Sequence, residues 1–181
     1  AIVGVGLIGG SIGLAVKEKG LAKEVIGICR RESSRRRALK FKAVDVATLS
    51  LKDGLKGADL VIIATPVGKI VDIAGEVIRE ARNKMILTDV GSAKEKIVKS
   101  IENMRPGYVK FVGSHPMAGS EKRGVKFADR KLMSGAVCIL TKTKKTNRKA
   151  FNTVKRFWTK LGARCKVLSP DKHDYYISFV S

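Results

Sequence analysis

Three glycines near the start of the chain constrain its fold more than any other feature. The run GVGLIGGS places Gly4, Gly6 and Gly9 in the spacing G-x-G-x-x-G, at the end of the apolar run AIVGVG. Between a strand and a helix, the first glycine permits a tight turn, the second lets a phosphate approach the backbone, and the third lets the helix pack closely. A helix N-terminus also favours an anion. The sequence therefore predicts a dinucleotide-binding turn, in which Leu7 and Ile8 also contact the nucleotide.

Strand-like and helix-like segments alternate along the rest of the chain. Apolar runs such as ADLVIIATP, KMILTDVGS and GAVCILT are separated by stretches with helical periodicity, for example residues 67–81 and 147–161. Such alternation is typical of a parallel sheet covered by helices. We therefore predict an α/β fold, a Rossmann-type doubly wound and mostly parallel sheet with helices on both faces, over residues 1–169.

The second predicted strand ends in residues that bear on the choice of nucleotide. The strand EVIGI is followed by Cys29, Arg30 and Arg31, and then by Ser33 and Ser34. A carboxylate at this strand end normally binds the ribose hydroxyls of NAD and repels a 2′-phosphate, whereas arginine attracts that phosphate and stacks on adenine. These five residues therefore predict NADP as the cofactor, with NAD less favoured. A simple basic start to a helix is the alternative interpretation.

Three further strand ends carry polar residues, at the sheet edge where open parallel sheets bind their ligands. They lie in the segments ATPV, TDVGSAK and GSHPMAGSEK. We predict that the cofactor contacts Thr65, Pro66, Val67, Asp89 and Gly91. We predict that the substrate contacts Ser92, Ser114, His115, Gly119, Ser120 and Glu121.

One histidine in these segments is suited to acid–base chemistry. His115 is one of only two histidines and lies between serine and proline. A neutral imidazole, with an ordinary pKa near ~6.5, can accept the proton of a hydroxyl group as a hydride leaves. Ser92 could fix the tautomer of that imidazole or bind the same hydroxyl. We therefore predict His115 and Ser92 as the catalytic residues.

Five motifs together resemble one enzyme family. GVGLIGGS, ATP, DVGSAK, GSHPMAGSE and SPDKHD occur in this order and at the spacing found in the prephenate and arogenate dehydrogenases of tyrosine biosynthesis. The resemblance implies oxidation of a ring hydroxyl carbon by hydride transfer to NAD(P), with loss of the ring carboxylate as carbon dioxide. It also implies that His115 deprotonates the ring hydroxyl with help from Ser92. The run ICRRESS is similar to the NADP-using branch, which often prefers arogenate.

The resemblance also carries expectations about the whole protein. The chain begins within a strand and ends within a helix, so we expect a fragment whose last helix, 170–181, leads into an all-helical domain. That domain would form a homodimer and supply an arginine for the substrate carboxylate, and without it the isolated chain would be inactive. We expect a cytoplasmic enzyme with a small-molecule substrate. His173 is expected to orient the last helix against the sheet.

Composition bears on the classes of partner. Lys and Arg number 37 against 16 Asp and Glu, a formal net charge of +21, which raises nucleic acid as a partner. Only 6% of residues are aromatic and the basic residues are scattered, so a solvated surface around anionic small ligands is the better interpretation. Cys29, Cys138 and Cys165 lack metal-ligand spacing, and no apolar run has the length of a membrane span. We predict no metal, no nucleic acid and no membrane partner.

Two other functions stay open from the sequence. A beta-hydroxyacid dehydrogenase shares the glycine turn and would use a catalytic lysine, for which Lys94 is the candidate. A non-catalytic dinucleotide- or nucleic-acid-binding module would account for the charge but not for His115.

Overall fold

A six-stranded parallel sheet forms the centre of the computed structural model, which describes residues 1–104, 107–119 and 121–179. Its strands are β1 (Ile2–Val3), β2 (Ile26–Ile28), β3 (Val46–Thr48), β4 (Leu60–Ile63), β5 (Met85–Asp89) and β6 (Val109–Val112). They lie in the order β3-β2-β1-β4-β5-β6, so the direction of winding reverses between β1 and β4. This order is that of dinucleotide-binding folds, whose ligand lies at the reversal point. The predicted Rossmann-type fold is confirmed.

Helices cover both faces of this sheet. They are α1 (Leu7–Glu18), α2 (Glu32–Lys40), α3 (Leu51–Gly54), α4 (Ile70–Glu80), α5 (Glu95–Asn103), α6 (Arg148–Lys160) and α7 (Pro170–Ile177). Because side chains alternate along a strand, β4 sends Ile62 into one hydrophobic cluster and Val61 and Ile63 into the other. The first cluster contains Ile12 of α1 and Trp158 of α6, and the second contains buried residues of α4 and α5.

The C-terminal part of the chain departs from the expected single sheet. A separate three-stranded sheet contains β7 (Ser114–Pro116), β8 (Val137–Thr141) and β9 (Arg164–Leu168), with β7 antiparallel and β9 parallel to β8. Gly113 separates β6 from β7, and a Cβ atom there would lie 2.4 Å from Oγ1 of Thr141. A glycine is therefore required where the chain passes from the main sheet to the small one.

Several helices and strands also differ from those predicted from the hydrophobic periodicity of the sequence. The helix predicted over 67–81 begins as a 3₁₀ turn, Val67–Lys69, before α4. Strand β3 and the single-turn helix α3 were not predicted. Within the described residues, no helix combines the length and the apolar composition needed to cross a bilayer.

Candidate active site

The glycine turn has the geometry that a dinucleotide requires. Gly4 has φ +92°, and a Cβ atom on it would lie 2.7 Å from the carbonyl oxygen of Ala64. A Cβ atom on Gly9 would lie 2.2 Å from the carbonyl oxygen of Gly4, whereas one on Gly6 would have no atom of the described residues within 4 Å. Gly6 is also the N-cap of α1, and no side chain of the described residues caps that helix. The turn is therefore tight on the protein side and open at Gly6, where a pyrophosphate would approach the uncapped N–H groups.

A buried hydroxyl group lies beside this turn. Oγ1 of Thr65, just beyond the end of β4, is buried without a hydrogen-bond partner among the described residues. The Thr65 side chain lies close to Gly4, since its methyl carbon would be 2.9 Å from a Cβ atom on that glycine. Buried polar atoms in proteins are normally paired, so an orphaned one next to a nucleotide-type turn fits a ligand contact. The neighbouring Pro66 and Val67 are exposed.

The end of β2 turns from the core to solvent within two residues. Cys29 is buried, its N–H donates to the carbonyl of Thr48 at 2.8 Å, and burial raises the pKa of its thiol. The residues that follow are exposed or half-buried, namely Arg30, Arg31, Ser33 and Ser34. The thiol is therefore neutral and the charged groups stand at the surface.

Arginines dominate the charge at this strand end. The carboxylate of Glu32 pairs with Arg35 at 2.8 Å and with Arg36 at 3.0 Å. These hydrogen bonds lower the pKa of Glu32 to about 2. Neither Arg30 nor Arg31 takes part in an ion pair within the described part of the chain. Glu32 is thus compensated, and Arg30 and Arg31 stay available to an anionic ligand.

A buried ion pair holds the turn after β5. Asp89 and Lys94 are both fully buried, and Nζ of Lys94 contacts Oδ2 of Asp89. The same oxygen accepts the N–H of Gly91 at 2.9 Å, and Oδ1 of Asp89 accepts the N–H of Ser114 at 3.2 Å. The hydroxyl of Ser114, which is also fully buried, donates to the Asp89 carbonyl. This cluster joins the end of β5 to the start of β7 and leaves Ser92 exposed between them.

The burial of this cluster can be compared with the roles predicted from the sequence for Asp89, Ser114 and Lys94. Cofactor contact for Asp89 and substrate contact for Ser114 stay predictions, and their complete burial favours an indirect role for both. Lys94 is occupied by Asp89 and has no accessible surface, so its arrangement does not favour the catalytic lysine of a beta-hydroxyacid dehydrogenase. Gly119 and Glu121 are exposed, and Ser120 lies outside the described residues.

His115 lies on β7 in contact with the second histidine. Its Nδ1 is 2.9 Å from Nε2 of His173, which is fully buried on α7. Nδ1 of His173 is in turn 2.7 Å from Oδ1 of Asp174. The sequence indicated a structural role for His173 but did not predict this contact, which joins residues 58 positions apart. The quoted motif SPDKHD was the only signal for it.

The surroundings of His115 keep its imidazole neutral. Its pKa is lowered to about 4, chiefly by burial and then by electrostatic interaction with His173 and Lys94, while Asp174 acts weakly in the opposite direction. A neutral imidazole at pH 7 can accept a proton, which is what a general base requires. No group of three or more His, Cys, Asp or Glu side chains within the described residues could hold a metal ion.

The lowered pKa predicts a loss of stability in mild acid. The unfolded chain takes up a proton near pH 6.5 and the folded chain only near pH 4, so His115 costs stability as the pH falls through this window. We expect the free energy of unfolding to drop by about 2–3 kcal/mol between pH 7 and pH 4.5 from this residue. Urea unfolding at both pH values should show a smaller drop in His115→Asn. Equal drops would contradict the lowered pKa.

Comparison with known proteins identifies the family. Residues 12–167 match the family model described as "Prephenate dehydrogenase, nucleotide-binding domain". The chain is 38% identical over 181 residues to the prephenate dehydrogenase of Bacillus subtilis, covering 99% of this chain and 49% of that protein. The chain spans about half the length of the curated relatives it matches.

Two solved structures are similar over nearly the whole chain. The prephenate dehydrogenase of Aquifex aeolicus, solved in complex with hydroxyphenyl propionate and NAD+, superposes with a TM-score of 0.89 at 36% identity, over 97% of this chain and 61% of that one. The arogenate dehydrogenase of Synechocystis gives a TM-score of 0.91 at 28% identity, over 99% of this chain and 63% of that one. The glycine turn, the polar strand ends and these likenesses agree, and the chain belongs to the prephenate dehydrogenase family, as part of its nucleotide-binding domain.

Proposed function

We propose that the protein carrying this chain catalyses the NADP-dependent oxidative decarboxylation of prephenate or arogenate in tyrosine biosynthesis. The observation that carries the proposal is the neutral imidazole of His115, held on the strand β7 that the Asp89 cluster joins to β5. The family supports the activity, and the neighbour solved with NAD+ and hydroxyphenyl propionate supports a nicotinamide dinucleotide beside a ring-containing ligand. We also expect the full protein to be a cytoplasmic homodimer, on the resemblance alone. Turnover of both substrates by the full-length protein tests the activity.

The reaction needs a base, a hydride acceptor and a held substrate. The imidazole of His115 accepts the proton of the ring hydroxyl through Nε2, because its Nδ1 faces His173. A bound nicotinamide would supply the acceptor for the hydride that leaves the hydroxyl-bearing carbon. The ring carboxylate leaves as carbon dioxide, and the electron pair of the broken bond enters the ring, which becomes a phenolate and then takes a proton back from the protonated His115 to give the phenol. The exposed hydroxyl of Ser92 is the proposed second contact to the substrate oxygen.

The arginines after β2 support NADP over NAD. Arg30 is exposed at the strand end where the adenosine ribose lies in such folds, and no acidic side chain in the described residues pairs with it. The carboxylate of Glu32, two residues along the chain, is already bound to Arg35 and Arg36. A 2′-phosphate would therefore meet uncompensated positive charge. The ribose hydroxyls of NAD would find no free carboxylate among these residues.

We expect NADP to bind about ten- to a hundredfold more tightly than NAD, the value of one charge-assisted contact. Arg30→Ala should remove most of this difference by weakening NADP while leaving NAD within about threefold. Titration of the protein with both nucleotides, followed by calorimetry or fluorescence, measures the two affinities. Arg37→Ala removes the same charge from the exposed side of α2 and should leave both unchanged. A preference that survives in Arg30→Ala would refute this assignment.

A further inference from the structure

We infer that His173 and Asp174 are positioning residues for His115, and that they hold its imidazole in the tautomer with the proton on Nδ1 and a free lone pair on Nε2. The inference follows from a continuous set of contacts that runs from β7 through α7 to the start of α5. Its catalytic consequence rests on the proposed function. The tautomer itself does not, because it can be measured without cofactor or substrate.

The carboxyl group of Asp174 is ionised. Its carboxylate accepts the backbone N–H of Lys94 at 2.7 Å and that of Glu95 at 2.9 Å, at the N-terminus of α5. Burial opposes ionisation of Asp174, but the hydrogen bonds from Glu95, His173 and Lys94 outweigh it and keep the pKa of this carboxyl below its ordinary value. An ionised carboxylate can only accept hydrogen bonds. Nδ1 of His173, at 2.7 Å from it, must therefore carry a proton.

The imidazole of His173 is neutral and carries its proton on Nδ1. Burial lowers the pKa of its imidazole, and the bond to Asp174 offsets only part of that effect, so the ring is neutral at pH 7. The other charged groups that act on it are Lys94 and Asp89, which form an ion pair with each other. A neutral imidazole with its proton on Nδ1 has a lone pair on Nε2. Nε2 of His173 is therefore an acceptor.

The acceptor on His173 determines the tautomer of His115. Its Nδ1 lies 2.9 Å from that acceptor, so Nδ1 of His115 must be the donor and its Nε2 must be the unprotonated nitrogen. The two rings meet edge to face, with centroids 5.1 Å apart and planes at 61°. A base whose second nitrogen donates to a fixed acceptor is held in both orientation and tautomer, as in other sites built on histidine.

The anchor of this set of contacts also lies close to the predicted second catalytic residue. Asp174 binds the backbone of Lys94 and Glu95, and Ser92 precedes Lys94 by two residues. α7 therefore holds His115 through the side chain of His173. It holds the segment that follows Ser92 because the carboxylate of Asp174 accepts hydrogen bonds from the backbone of that segment. A substitution at His173 or Asp174 should therefore displace both His115 and Ser92 and leave the nucleotide turn, between β1 and α1, unchanged.

The decisive measurement is the tautomer of the two histidines. The chain contains only two, so a sample labelled with ¹⁵N in histidine gives two sets of imidazole signals. In long-range ¹H–¹⁵N correlation spectra at pH 7, we expect both rings to carry the proton on Nδ1, the less common form of free histidine. A wild-type spectrum with the proton of His115 on Nε2 would overturn the inference whatever any variant does.

Variants separate positioning from support of the fold. His173→Phe removes the acceptor and should return His115 to the Nε2–H form. In the full-length protein it should lower kcat about 10- to 100-fold with the KM for NADP unchanged. His173→Gln places a carbonyl oxygen where Nε2 was, so it should restore the tautomer and much of kcat even if the phenylalanine variant folds poorly. Lys172→Gln, on the exposed side of the same helix, should change neither.

The outcomes also distinguish this inference from the proposed function. The expected tautomer in a protein that oxidises neither prephenate nor arogenate would refute the function and support the positioning role. Turnover that is unchanged in His173→Phe, together with an unchanged tautomer, would refute the positioning role and leave the function intact.

Discussion

Replacing His115 by asparagine should lower turnover of prephenate or arogenate by about two to four orders of magnitude, the usual contribution of a general base. The amide of asparagine can still donate to Nε2 of His173, so the bond at 2.9 Å can be kept. The same amide has no lone pair basic enough to take the hydroxyl proton. Affinity for NADP should stay within about threefold, because the glycine turn and Arg30 are untouched. Steady-state kinetics and nucleotide titration of the full-length protein measure both quantities.

The pH profile of the parent enzyme provides the control. The pKa of His115 is lowered to about 4, so the imidazole stays unprotonated well below neutral pH. kcat/KM should therefore remain level from pH 7 to about pH 5 and fall only below that, instead of falling near pH 6.5. An asparagine variant that keeps turnover within tenfold of the parent would remove His115 from the role of base.

The part of the site that the sequence predicted is the part encoded locally. A turn such as GVGLIGGS is specified by its own glycines, and the observed contacts of Gly4 and Gly9 explain why side chains are excluded there. The order of strands and helices could likewise be predicted, since each apolar run and each helical period lies within one segment. Strand β3 was not predicted because its sequence, VAT, contains one large apolar side chain and no apolar run around it, and that residue, Val46, is 45% exposed in the structure.

The part that the sequence did not predict depends on contacts between distant segments. The motif containing His173 is 58 residues from His115, and nothing in either segment shows that their rings meet. The small sheet is a similar case. Gly113 ends β6 and redirects the chain to pair antiparallel with β8, whereas the sequence pattern of VKFVGSHP reads as one strand and a loop. Such pairings are decided by packing, which single-sequence periodicity does not encode.

Lys94→Met should reduce the free energy of unfolding by about 3–5 kcal/mol, because it leaves the carboxylate of Asp89 buried without its cation. Both side chains have no exposed surface, and methionine preserves most of the volume of lysine. The remaining donors to Asp89 are the N–H groups of Gly91 and Ser114, which satisfy its oxygens but do not neutralise its charge. Denaturant unfolding at pH 7 measures the loss.

Two further variants serve as controls for Lys94→Met. Lys56→Met breaks a second Lys–Asp pair, to Asp53 at 2.7 Å, between side chains that are 70% and 55% exposed, so water replaces the lost partner and the free energy of unfolding should barely change. Adding Asp89→Asn to Lys94→Met removes the uncompensated charge while keeping an acceptor oxygen, so the double variant should be more stable than Lys94→Met alone. If Lys94→Met costs no more than Lys56→Met, the ion pair does not hold the β5 turn. The Ser92 segment would then depend on Asp174 for its position.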